Sequence, residues 1–134
     1  MAKENLLERR MFILDNIEFN IIRKGVKSKL EESAKKEGIN LQVDFFKKAD
    51  SLPEGYDAYI LNPDAIKDLK ELKCLKEKQP WCKIYLFSDN PVGISDKLKS
   101  CIDDYVLKDG FYDPRAIHHK TEKIIKLLKQ QTKI

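Results

Sequence analysis

The sequence predicts an α/β fold, a doubly wound five-stranded parallel sheet, and three observations carry that prediction. Short apolar runs alternate with longer segments of helical spacing, the pattern of a parallel sheet covered on both faces. Two of the runs, 58–61 and 84–87, are apolar throughout, as interior strands buried on both faces must be. The length, 134 residues, suits one domain spanning 1–134, and a domain of that size buries about two-thirds of its unfolded surface without a disulfide or metal.

The elements follow in order. Residues 11–14 are an apolar run after a charged leader and read as the first strand. Residues 17–37 place Ile22, Val26 and Leu30, with Ile21 and Ala34, at helical spacing, and Gly38 stands where a C-cap glycine belongs. Leu41, Val43 and Phe45 alternate with Gln42 and Asp44, which is a strand with one wet face, as at a sheet edge. Residues 47–56 contain Pro53 and Gly55 and read as a loop with at most one helical turn. Strands at 58–61 and 84–87 flank a helix with the stripe Ile66, Leu69, Leu72 and Leu75, which ends before Pro80. Residues 105–107 form the fifth strand. Asp113-Pro114 is a helix start, with Asp as N-cap and Pro at the first helical position, and Ile117, Ile124 and Leu128 share one face of the last helix.

Composition excludes several classes. Hydrophobic content of 42% and charged content of 36% are those of a globular chain. No apolar run approaches the roughly 20 residues of a membrane span, and residues 1–10 lack a signal-peptide core. The expected location is the cytoplasm, with no membrane partner. Net charge is +4, from 26 basic and 22 acidic residues, both signs interspersed, which falls short of a nucleic-acid footprint. Cys74, Cys82 and Cys101 form no Cys-x-x-Cys pair, and their odd number suits a reducing compartment; each is expected to pack in the core or at its boundary.

Doubly wound sheets place their sites beyond the carboxyl ends of the strands. Those ends are Asp15-Asn16, Asn62, Ser88 and Lys108. Each is polar, each directly follows an apolar run, and the fold would gather them at one edge.

These residues carry a resemblance. Asp103-Asp104-Tyr105-Val106-Leu107-Lys108 resembles the Asp-Asp-Tyr-x-x-Lys segment at the last strand of bacterial receiver domains of the response-regulator type (CheY-like). Tyr56-Asp57-Ala58-Tyr59-Ile60-Leu61-Asn62 resembles the family's third strand, which leads to its phospho-accepting aspartate. Leu14-Asp15-Asn16 resembles the acidic pair after the first strand, and Ser88 falls where the family carries Ser or Thr. The match runs from about residue 11 to 130. It implies a flavodoxin-like strand order 2-1-3-4-5 and a role in two-component signal transduction. It also implies a phosphorylation pocket at Asp15, Asn16, Asn62, Ser88 and Lys108, with Tyr105 as a switch aromatic on the partner face.

The departures decide the chemistry expected of that pocket. Asn62 stands at the acceptor position, and a carboxamide cannot form an acyl phosphate. Asn16 replaces the second acid. Mg²⁺ wants oxygen ligands with carboxylates supplying charge, and Asp15 alone, offset by Lys108, leaves the pocket near neutral. Mg²⁺ binding is therefore expected to be weak or absent, with Asp15 the one remaining candidate ligand and no other cofactor. Deamidation of Asn62 is slowed because Pro63 offers no backbone N–H to attack. The family's helices 2 and 4 are reduced here, to the loop at 47–56 and to little more than a turn at 95–100.

The function expected is that of an atypical, non-enzymatic pseudo-receiver that signals by protein–protein interaction independently of phosphorylation. A histidine kinase or an output protein is the expected partner, and a homodimer through Tyr105 and 116–128 is the other arrangement that face allows. Three rivals stand beside it. The first is a phosphorylatable two-component receiver using another acceptor, such as Asp64. The second is a nucleic-acid-binding regulatory domain using Lys120, Lys123, Lys126 and Lys129, but positions three apart drift around a helix and read as a solvated face. The third is an enzyme or cofactor carrier. Against it, 16–20 contain no glycine to cradle a phosphate, His118 and His119 are adjacent and make a poor metal pair, and no catalytic constellation stands out.

Overall fold

The computed structural model describes residues 6–15, 20–47, 51–62, 70–87, 100–106 and 117–130. Within them five strands, β1 (Leu7–Leu14), β2 (Ile39–Phe46), β3 (Ala58–Leu61), β4 (Lys83–Phe87) and β5 (Asp104–Val106), alternate with three helices, α1 (Asn20–Lys36), α2 (Lys70–Lys78) and α3 (Ile117–Gln130). All strand pairs are parallel and the order is β2-β1-β3-β4-β5. This is the predicted doubly wound sheet.

Alternation along each strand builds two cores. Met11, Ile13, Ala58, Ile60, Tyr85, Phe87 and Val106 face α1 and α3, while Phe12, Leu14, Tyr59, Leu61, Ile84 and Leu86 face α2. β3 is buried at all four positions, as its unbroken apolar run requires. In β2, Ile39, Leu41 and Val43 are buried while Asn40 and Gln42 are exposed, which is the wet face expected of an edge strand. Gly38, at φ 78°, follows α1 in the left-handed conformation that favours glycine, and its N–H donates to Lys35 O at 3.0 Å.

Four expectations are corrected. β1 begins at Leu7, not 11, because residues 7–10 extend the ladder with 39–42; their charges, such as Glu8 bonded to the Asn40 amide at 2.9 Å, stay at the surface, so no apolar run marks them. Ile21 is 80% exposed. At about 100° per residue it lies roughly 160° from the centre of the Ile22, Val26, Leu30 and Ala34 stripe. Cys74 is exposed because the stripe of α2 runs through Leu72 and Leu75; Cys82 is buried and Cys101 half-buried, as expected. β5 begins at Asp104, one residue earlier than predicted. Ile66, Leu69, Leu107, Asp113, Pro114 and the segment 95–99 lie outside the described residues, as do the side chains of Ile117, His118, His119 and Lys120.

No helix forms at residue 47 or at 51–57 between β2 and β3, consistent with the reduced second helix. An aromatic group covers the sheet there instead. Phe12 packs at 5.2 Å on Phe46, 5.3 Å on Tyr56 and 5.8 Å on Tyr59. The Arg10 guanidinium lies 4.3 Å over the Tyr56 ring, and Tyr56 Oη donates to Asp44 at 2.5 Å. Buried Gln79 accepts from Gly55 N–H at 2.5 Å and donates to Tyr56 O at 3.1 Å. Tyr59 Oη donates to Pro53 O at 2.7 Å, tying the loop down.

Burial pushes the Tyr59 phenol up to about 12 from 10.0, and burial likewise raises Tyr56, Tyr85 and the Cys82 thiol. An acid whose folded pKa is raised contributes stability below its unfolded pKa and loses it as pH climbs to the folded one. Denaturation with urea should therefore show stability falling between about pH 9 and 12. Tyr59 should account for about 3 kcal/mol of that loss, and Tyr59→Phe should flatten the decline; an unchanged slope in this variant would refute the assignment.

Candidate functional site

The carboxyl ends of β1 and β3 meet. Asn62 N–H donates to Leu14 O at 2.8 Å and Asp15 N–H to Phe46 O at 3.0 Å, so the ladder itself sets Asp15 and Asn62 side by side at the ends of β1 and β3. Both are buried, Asp15 to 1% exposure and Asn62 to 4%. The Asn62 Nδ2–H donates to Asp15 Oδ1 at 2.8 Å. Only this amide orientation places a donor against the carboxylate, so chemistry assigns the flip. A buried carboxylate needs such donors, since leaving its charge unpaired costs several kcal/mol.

The structure thus brings together two of the predicted pocket residues. Asn16, Ser88 and Lys108 lie outside the described residues, and so do Pro63 and Asp64. Tyr105 sits on β5 opposite Leu86, half-buried and packed against the α2-side core. Lys123, Lys126 and Lys129 are exposed on α3; Lys123 pairs with Asp104 at 3.4 Å and Lys129 with Glu37 at 3.6 Å, which is the solvated face expected of them.

For Mg²⁺ the Asp15–Asn62 pair is a poor fit. It supplies one carboxylate, and one oxygen of that group already accepts the Asn62 N–H. Among the described residues no three His, Cys, Asp or Glu side chains gather to hold a metal ion. Asn62 turns its amide nitrogen to Asp15 as a donor, and the oxygen of a carboxamide is a poor nucleophile.

Sequence reasoning missed how two other aspartates clasp the opposite edge of the sheet, at the amino ends of β3 and β5. Asp57, fully buried, accepts Arg10 N–H at 2.8 Å through Oδ2, while its own N–H donates to Arg10 O at 2.9 Å. Asp103 repeats the device: Oδ2 accepts Ile84 N–H at 2.8 Å and its N–H donates to Ile84 O at 2.8 Å. Lys76 adds an ion pair to Asp103 at 2.6 Å. Each side chain stands in for a strand carbonyl one residue before β3 or β5 begins. For Asp57 the available signal was an Asp directly before an apolar run; Asp103, followed by Asp104, gave none. Gln79 gave no signal, since a Gln before Pro80 reads as solvent-facing.

No family model and no curated protein sequence matches the chain. Solved structures do match its fold. The response regulator TrrA of Thermotoga maritima, in complex with the histidine kinase ThkA, aligns with TM-score 0.58 at 24% identity over 90% of this chain and 98% of that one; TrrA in complex with Mg²⁺ and BeF aligns with TM-score 0.54 at 22% identity over 89% and 98%. An orphan response regulator of H. pylori aligns with TM-score 0.56 at 19% identity over 90% and 96%. With its strand order and a polar pair at the ends of β1 and β3, this chain carries the CheY-like fold of response-regulator receiver domains.

Proposed function

We propose that this chain is an atypical receiver domain of the cytoplasm, acting in two-component signalling through phosphorylation-independent protein contact. The Asn62 to Asp15 hydrogen bond carries the reading. In place of a nucleophile facing a cation, the edge holds an amide that neutralises the need for one. A receiver switched by phosphate needs a ligand that binds one conformation more tightly than the other; a carboxamide at 62 beside the single carboxylate of Asp15 is poorly suited to take a phosphoryl group, so in this reading a protein partner selects the conformation. A histidine kinase or an output protein is the partner class, supported by the receiver fold of TrrA, which is seen bound to ThkA. Tyr105 marks the contact face, and a homodimer through that face is the competing arrangement.

The test uses the purified domain as bait in lysate of its native cell, with and without prior incubation in acetyl phosphate and Mg²⁺. Intact mass should show no phosphoryl adduct, the captured partner should be the same in both arms, and Tyr105→Ala bait should lose it. A stable adduct, or capture only after acetyl phosphate, would overturn the proposal.

A further inference from the structure

One strand away from Asp15, α1 and the free edge of β2 border an open cavity of about 300 Å³, at the lower end of the range for small-molecule sites. Arg23, Lys24 and Lys27 from α1 line it together with Val43 and Phe45 on the α1 face of the sheet, while Asp44 and Phe46 reach it round the β2 edge from the other face. Among the described residues its lining thus carries three formal positive charges and one negative, that of Asp44. Asp44 is already engaged by Tyr56 Oη at 2.5 Å, by Gln42 at 3.3 Å and by Arg10 at 3.7 Å. Lys24 and Lys27 are exposed and have no ion pair among the described residues. Nor does α1 gain from this charge: its first turn holds no acid, and cations near a helix start oppose the helix dipole.

Two more features suit a ligand with both an anionic and a flat part. Gly38 O and Phe46 O accept from β1, so the even-numbered residues of β2 turn their main-chain groups toward β1. In a parallel ladder the intervening residues point the other way, which turns the N–H groups of Val43 and Phe45 to the open edge. Phe46, 43% exposed, is stacked on Phe12 at 5.2 Å with 28° between planes. One ring face is thereby held and the ring presented as a fixed platform.

We propose that this cavity binds a phosphorylated aromatic small molecule of mononucleotide size, its phosphate held by Lys24, Lys27 and Arg23 and its ring laid on Phe46. Bases of every kind stack on such a ring, and the charge and volume fit one phosphate and one base rather than an extended strand. The proposal is independent of the phosphorylation reading, since it uses none of the Asp15 edge chemistry. Phe46 O nonetheless accepts the Asp15 N–H, so an occupied cavity sits one hydrogen bond from that edge.

Titrations of AMP, GMP, inorganic phosphate and a short oligodeoxythymidylate into the ¹⁵N-labelled domain test it. AMP or GMP should shift the amides of 23–27 and 43–46, and should bind about tenfold or more tightly than phosphate. The double variant K24E/K27E should weaken nucleotide and phosphate alike by about tenfold or more and be relieved of salt dependence. Phe46→Leu should bring the nucleotide down to the affinity of phosphate alone. No shift at millimolar nucleotide, or shifts that the variants leave unchanged, overturns the proposal. An oligonucleotide that displaces AMP and binds more tightly than it overturns it in favour of a single strand.

Discussion

Asn62→Asp should destabilise the domain in the absence of divalent cations and make its melting temperature respond to Mg²⁺. The substitution replaces an N–H donor 2.8 Å from Asp15 Oδ1 with a second carboxylate at a buried site. A hydrogen bond to a charged group contributes about 1.5–3 kcal/mol, and two carboxylates in contact cannot both ionise cheaply. The expected cost at neutral pH is about 2–4 kcal/mol, or roughly 10 °C in melting temperature for a domain of this size. That cost depends on pH. The new carboxyl, when protonated, donates to Asp15 much as the amide does, so the variant should match the wild type below about pH 4. Its deficit should open as pH rises above the unfolded carboxyl value, because the folded pair holds a proton that the unfolded chain releases.

Magnesium should reverse the deficit, since the pair now offers two carboxylates of the kind that ion prefers. At a concentration a hundred times its dissociation constant the ion would return about 2.7 kcal/mol. The same addition should move the wild type by less than about 1 °C. Differential scanning calorimetry of both proteins with Mg²⁺ and with a chelator decides the matter. A wild type stabilised as strongly as the variant would show that Asp15 and Asn62 bind the ion as they stand.

Asp57→Ala should be among the most damaging single changes outside the apolar core. Pairing of β1 with β3 begins at Met11 with Ala58, so the Arg10 N–H has the Asp57 carboxylate, at 2.8 Å, in place of a ladder carbonyl. The same residue's carbonyl accepts Lys83 N–H at 3.0 Å, which joins β1, β3 and β4 at one point. Truncation strands a charge-assisted donor and leaves space where a buried side chain stood, for an expected loss of about 2–4 kcal/mol. Asp57→Asn keeps an acceptor oxygen in place and should cost about 1 kcal/mol. Urea unfolding at neutral pH compares the two, and an Ala variant as stable as the Asn variant would remove the structural role given to this carboxylate.

Much of the fold could be read from the residues because its causes are local or periodic. The runs at 58–61 and 84–87 had to be interior strands, since no other parallel arrangement buries both faces of an apolar run. The alternation at 41–45 identified an edge, and Gly38 ended α1 through its own backbone freedom. The same logic failed where tertiary partners decide. Residues 7–10 are mostly charged and yet form strand, because β2 supplies the ladder. Ile21 is apolar and yet exposed, because the stripe of α1 turns away from it.

The candidate site divides in the same way. Residue order along the chain was enough to mark Asp15 and Asn62 as polar strand-end neighbours, each directly after an apolar run. Only the assembled sheet decided that the amide donates into the carboxylate, that Asp57 and Asp103 serve as strand clasps, and that Gln79 and Tyr59 hold a loop where a helix could have packed. Periodicity is a property of neighbours in sequence, whereas a buried hydrogen bond between residues 47 apart depends on register, which exists only once the strands have paired.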